Sequence, residues 1–189
     1  KYMIKMKNLL LKAAFFSLFI GSCSMTPQII LPDYGREINL NYQSESTSFD
    51  SEFTMLSSDK GENFNLLYKE DKSNDQAILL LHGRGLYPNE PSVMSPLIDI
   101  LNKEYNIYSL QLPVLKKNST YLEYVELFPF SDSRIQKTLQ HIKFNSSKII
   151  VIAHSCGAHM LSSFLKTHKS EINKIILISA GAVDKGQKP

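Results

Sequence analysis

Several large classes are excluded by what this 189-residue sequence has little of. No apolar run approaches the roughly 18 residues of a membrane-spanning helix. There are two cysteines, and no Cys/His spacing resembles a zinc site. Internal repeats and low-complexity segments are missing. At 43% hydrophobic and 21% charged residues, the chain has too much apolar content for a disordered protein and room for one ordinary domain. Excess charge of one sign is also lacking once its location is considered. Four of the 21 basic side chains, Lys1, Lys5, Lys7 and Lys12, fall in residues 1–22, which hold no acid. Residues 23–189 keep 17 basic against 18 acidic groups, so nothing suggests nucleic acid or a polyanion as partner.

What is present begins with a leader. Lys5, Lys7 and Lys12 make a positive start, the last of them inside the apolar stretch from Leu9 to Ile20 that leads into Ile20-Gly21-Ser22-Cys23. A positive start, an apolar core too short to span and small residues before the processing point form a targeting segment over residues 1–22. The sequence around Cys23 resembles a bacterial lipoprotein signal. The resemblance implies that Cys23 is lipidated, becomes the mature N-terminus and anchors the protein in the cell envelope. Ser24 after the cysteine implies the outer membrane, facing the periplasm. With Cys23 lipidated, Cys156 has no intrachain partner, and stability must come from the core. Residues 23–35 then form a tether and 36–189 the domain.

Brief β-type stretches at Ile38–Tyr42, Phe53–Leu56 and Phe64–Tyr68 predict antiparallel strands at a sheet edge. From Ala77 the pattern changes. Ala77–Leu81, Ile107–Leu112, Lys148–Ala153 and Ile175–Ala180 are continuous apolar runs, as in strands covered on both faces. Between them lie three amphipathic helices. One is capped at Ser95 with Pro96 at its first position and Leu97, Ile98, Leu101 and Tyr105 inward. Another spans Ser133–Phe144 on Ile135, Leu139 and Ile142. The third spans Gly157–His168 on Leu161, Phe164 and Leu165. The alternation predicts an α/β domain with a mostly parallel sheet and helices on both faces.

Two short segments point to chemistry. Ala153-His154-Ser155-Cys156-Gly157 sits where a buried strand gives way to a helix, so Ser155 occupies a tight turn with small flanks. Leu81-His82-Gly83-Arg84-Gly85 follows another buried strand. Together, in this order and separated by one strand-and-helix unit, they resemble the α/β-hydrolase superfamily over about Ala77–Ala180. The likeness is greatest to small bacterial envelope proteins of that superfamily. Ala153 stands where the family's first glycine is usual. The resemblance implies Ser155 as nucleophile and the backbone N–H groups of Arg84 and Cys156 as oxyanion donors. It implies an acyl substrate (ester, thioester or amide), hydrolysis or acyl transfer, and no cofactor or metal.

In the family an acid and a histidine follow the serine. Downstream lie only His159 and His168, both on the next helix. His154 should point away from the serine, His82 should shape its own turn by hydrogen bonding, and His141 should be solvated. No histidine fits the base. Asp184 is a candidate acid, whereas Glu171 precedes the last strand on the wrong side. The resemblance thus implies a piece of a longer hydrolase, truncated before the acid and histidine. The alternative is a non-catalytic envelope lipoprotein that uses the fold for binding. The long segment Pro113–Phe130, with Tyr121, Tyr124, Phe128 and Phe130, either lines an apolar pocket or packs over a helix.

Overall fold

A computed structural model describes residues 29–48, 50–71 and 73–180. Its centre is strand β3, Gln76–Leu81, whose residues Ala77 to Leu81 are all buried. β3 pairs in parallel with β4, Asn106–Leu110, on one side and with β5, Lys148–His154, on the other. β6, Lys174–Ile178, adds in parallel beyond β5. An antiparallel pair, β1 (Glu52–Ser57) and β2 (Asn63–Lys69), joins through β2 to β4. The order is β1-β2-β4-β3-β5-β6, a mostly parallel sheet with an antiparallel edge.

Alternate side chains of the central strands serve two cores. Leu79, Leu81, Tyr108, Leu110 and Val151 pack under α4 (Phe128–Ile142) and α5 (Cys156–Thr167). Ile78, Leu80, Ile107 and Ile152 pack on the opposite face against Met94 and Ile98 of α2, Met94–Leu101. Both faces are therefore covered, as continuous apolar strands require. Each buried leucine contributes about 1.5–3 kcal/mol.

Several elements depart from the sequence-based expectations. Ile38–Tyr42 is no strand; it lies within helix α1, Tyr34–Ser46, capped by the Asp33 carboxylate on the Arg36 N–H at 3.0 Å. The helix takes in the last two residues assigned to the tether, and the Asp33 N–H bonds the Val114 carbonyl at 2.8 Å. Its apolar residues misled because they face solvent: Ile38 is 54% and Tyr42 68% exposed, while Glu37 and Ser44 are buried.

Ser95 does not cap α2. The buried Glu90 carboxylate does so from upstream, accepting the N–H groups of Ser92, Val93 and Met94 at 2.7, 2.9 and 3.1 Å. The segment Pro113–Phe130 contains helix α3, Tyr121–Val125, closed by a reciprocal Thr120–Glu123 capping box. Leu115, Tyr124 and Leu127 are core residues, so packing claims the segment's interior. α4 starts at Phe128 rather than Ser133. Leu165, expected inward, is 38% exposed. β6 ends at Ile178, and Ile175, Ile176 and Leu177 are 37–51% exposed, not buried, among the described residues.

A buried ion network fastens α1 to the sheet. The Arg134 side chain on α4 is fully enclosed and donates to Glu37 at 3.1 Å, to Glu62 at 3.0 and 3.2 Å and to the Gln111 carbonyl at 3.1 Å. Glu37 also accepts the Val114 N–H at 3.1 Å, and Tyr34 donates to Glu62 at 3.2 Å. Burial pushes the Glu37 carboxyl above its ordinary range, against the pull of Arg134.

Candidate active site

Register brings the two singled-out segments together. Leu81 pairs with Ala153 across β3 and β5, so the turns after the two strands leave the sheet side by side at its carboxyl edge. Ser155 sits between β5 and α5 with φ 52° and ψ −120°, a conformation that costs a non-glycine residue about 1–3 kcal/mol. It is held there by its N–H on the Ile178 carbonyl at 2.9 Å and by the Ala158 N–H on its own carbonyl at 3.0 Å. Among the described residues no hydrogen bond engages its hydroxyl.

Gly157 shows why the turn is so tight. A Cβ there would lie 2.6 Å from the His82 carbonyl oxygen and 2.7 Å from that of Leu81, so only glycine lets α5 start against the end of β3. Ala153 is fully buried in register with Leu81, and its extra methyl is accommodated.

The second turn is organised by His82. Its Nδ1–H donates to the Gly83 carbonyl at 2.8 Å, while Nε2 accepts the Leu112 N–H at 3.0 Å, which sets the tautomer. Burial pushes its pKa down to about 4, so the ring is neutral at pH 7. Gly83 packs on His154, where a Cβ would stand 3.2 Å from Nδ1. From α1, Arg36 donates to the Gly85 carbonyl at 2.8 Å and to the Leu115 carbonyl, bracing the turn from outside.

Neither of the two amides expected as oxyanion donors has a local acceptor. The Arg84 N–H donates to nothing among the described residues, and the Cys156 N–H opens α5, where a helix has no partner of its own to offer. The Cys156 thiol is buried, and burial pushes its pKa up to about 11. It is a protonated, enclosed thiol at neutral pH, which leaves the Ser155 hydroxyl as the accessible nucleophilic group of the turn.

Three of the histidines sit against aromatic rings. His159 meets Tyr121 edge-on at 5.2 Å, His141 meets Tyr108 edge-on at 6.2 Å, and His168 stacks on Phe164 at 4.7 Å. His141, expected in solvent, is thus half-buried against an aromatic ring. His154 lies over Gly83 with its Nδ1 enclosed and unpaired among the described residues. Asp184, Cys23 and the leader lie outside the described residues. Among the described residues no group of three or more His, Cys, Asp or Glu is placed to hold a metal ion. Arg36 and Tyr124 were missed as neighbours of the turn, because nothing local marks residues 36 and 124 as adjacent to residues 84–85.

No family model matches the sequence, and no curated protein is similar enough to match it. Solved structures do match. An esterase from Pyrococcus furiosus is 21% identical with a TM-score of 0.53, over 68% of this chain and 51% of its own. A cold-adapted esterase from an Arctic intertidal metagenomic library is 14% identical with a TM-score of 0.56, over 69% of this chain and 61% of its own. A membrane phospholipase A, described as a bacterial virulence factor, is 14% identical with a TM-score of 0.52, over 93% of this chain and 50% of its own. The chain therefore spans about half the length of these structures. At such identities the likeness concerns architecture alone, and with the mostly parallel six-stranded sheet it shows that this chain has the α/β-hydrolase fold.

Proposed function

We propose that the full-length protein is a serine hydrolase that cleaves a carboxylic ester or a related thioester or amide. The Ser155 oxygen bonds to the acyl carbon as its proton passes to a general base from outside the described residues. The resulting oxyanion accepts the Arg84 and Cys156 N–H groups, and collapse of the adduct expels the protonated alcohol, thiol or amine. Water then releases the acid by the same steps. One observation carries the reading. Ser155, at φ 52°, is held in a strained conformation between β5 and α5 although a glycine would fit without strain. The esterase and phospholipase neighbours support ester chemistry.

The test is covalent labelling of the full-length protein with a fluorophosphonate, which mimics the tetrahedral adduct. Ser155 should be the labelled residue, and Ser155→Ala should lose labelling and about three orders of magnitude or more of esterase activity. Undiminished labelling in Ser155→Ala, or no labelling of a folded parent, would favour a non-catalytic binding protein.

We also propose that Cys23 is diacylated and anchors the protein in the bacterial envelope, on the outer membrane facing the periplasm. The support is the Leu9–Cys23 pattern. Cys23→Ser should leave the precursor unprocessed or release protein from the membrane fraction. A variant with unchanged processed mass and membrane fractionation would overturn the anchor.

A further inference from the structure

The turn proposed to hold the oxyanion also forms one wall of a cleft of unusual composition. Arg36, Arg84, Lys116, Lys117, Ser119 and Tyr124 line an open hollow of about 310 Å3. Four cations and two hydroxyls converge there, and no acidic side chain lines it. Among the described residues only Lys69, Arg134 and Lys143 pair with a carboxylate, so all four cations of the cleft are without a counter-charge. Glu123, which lies near Lys116, is committed to the Thr120 N–H at 2.7 Å and hydroxyl at 2.9 Å.

The cleft is built, not a chance meeting of flexible chains. Arg36 is fixed by the Gly85 and Leu115 carbonyls, and the Leu115 N–H bonds the Tyr124 hydroxyl at 3.0 Å. The Arg84 guanidinium lies 6.0 Å from the Tyr124 ring centre. Asn118, at φ 68°, turns the Lys116–Ser119 loop. Holding several like charges together without counter-charge costs free energy unless an anion neutralises them.

Arg84 ties the cleft to the chemistry, since its backbone N–H belongs to the proposed oxyanion pair and its side chain to the cleft wall. An anion seated here would lie within one side chain's reach of the reacting carbonyl. We propose that the cleft binds the phosphate monoester group of the substrate, so that the protein prefers acyl esters of a phosphorylated alcohol. A phosphate monoester carries about −1.5 to −2 charges at neutral pH and three strong acceptors, which suits several converging cations better than a single carboxylate does. The inference rests on the hydrolase reading of Ser155.

The test compares two esters differing only in the phosphate, 1-octanoylglycerol and 1-octanoylglycerol 3-phosphate, with the full-length protein at low salt. The phosphorylated ester should have at least a tenfold higher kcat/KM, and the preference should shrink as salt rises. Lys116→Gln/Lys117→Gln, at two exposed positions, should lose most of the preference while hydrolysing 1-octanoylglycerol at the parent rate. Equal kcat/KM for the two esters, or a preference retained in the double variant, would overturn the proposal. A separate arm measures binding of glycerol 3-phosphate and of inorganic phosphate to Ser155→Ala protein by calorimetry. Glycerol 3-phosphate binding weakened tenfold or more by the lysine substitutions supports the cleft as a phosphate site even if neither ester is hydrolysed, in which case only the hydrolase reading falls. Binding of inorganic phosphate without any ester preference would reassign the cleft to free phosphate. Absence of binding and of preference would overturn it altogether.

Discussion

Arg134 and Arg84 lie in two regions that treat charge and strain in opposite ways. Around Arg134 a fully enclosed guanidinium meets two carboxylates and a carbonyl, and Glu37 and Glu62 have further partners in Val114 and Tyr34. Around Arg84, cations stand without carboxylates, two amides have no local acceptor and Ser155 holds an unfavourable backbone angle. The first region is satisfied internally, as a structural fastening of α1 must be, because a buried charge without a partner is too costly to keep. The second is left unsatisfied at the surface, where a ligand can complete it. The contrast separates what holds the fold from what is available for chemistry.

The largest expected effect breaks the satisfied side. Arg134→Met should destabilise the protein by about 3–5 kcal/mol, because it strands Glu37 and Glu62 in the interior. Adding Glu37→Gln and Glu62→Gln should recover a substantial part, as urea midpoints would show. A single variant within about 1 kcal/mol of the parent would mean that the network is not the fastening described.

Acid should act next, through His82. Its folded pKa of about 4 lies below the ordinary 6.5, so the unfolded chain takes up the proton first as pH falls. This group's contribution is therefore complete above pH 6.5 and is lost between 6.5 and about 4, on the order of 3 kcal/mol in all. Urea unfolding across that window, compared with His82→Gln, isolates it from the carboxylates. An equal acid sensitivity in the variant would exclude His82 as the cause.

The smallest effect sharpens the unsatisfied side. Ser155→Gly should raise stability by about 1 kcal/mol, since glycine adopts positive φ without strain, while eliminating fluorophosphonate labelling. A destabilised glycine variant would show that Ser155 is not held against its backbone preference.

The sequence carried much of the site because strand and helix signals there are local. Ala77–Leu81 and Lys148–Ala153 read as doubly covered strands, and the serine between strand and helix follows from their ends. The same reasoning failed for α1, where Ile38 and Tyr42 face solvent and the buried residues are Glu37 and Ser44. A polar side chain is buried only when a partner waits for it, and periodicity does not encode the partner. The Thr120-x-x-Glu123 box, by contrast, is a local signal that the sequence carries in full.

By itself, then, the sequence determined the parallel core, the positions of Ser155 and His82 at its carboxyl edge and the need for a small residue at Gly157. Tertiary structure alone decided that Arg134 meets Glu37 across 97 residues of chain, that Arg36 braces Gly85 and Leu115, and that Lys116 and Lys117 share a cleft with Arg84. The physical reason is range. Apolar burial repeats with the period of its own helix or strand, whereas an ion pair or a cleft depends on groups that only the folded chain brings within a few ångströms.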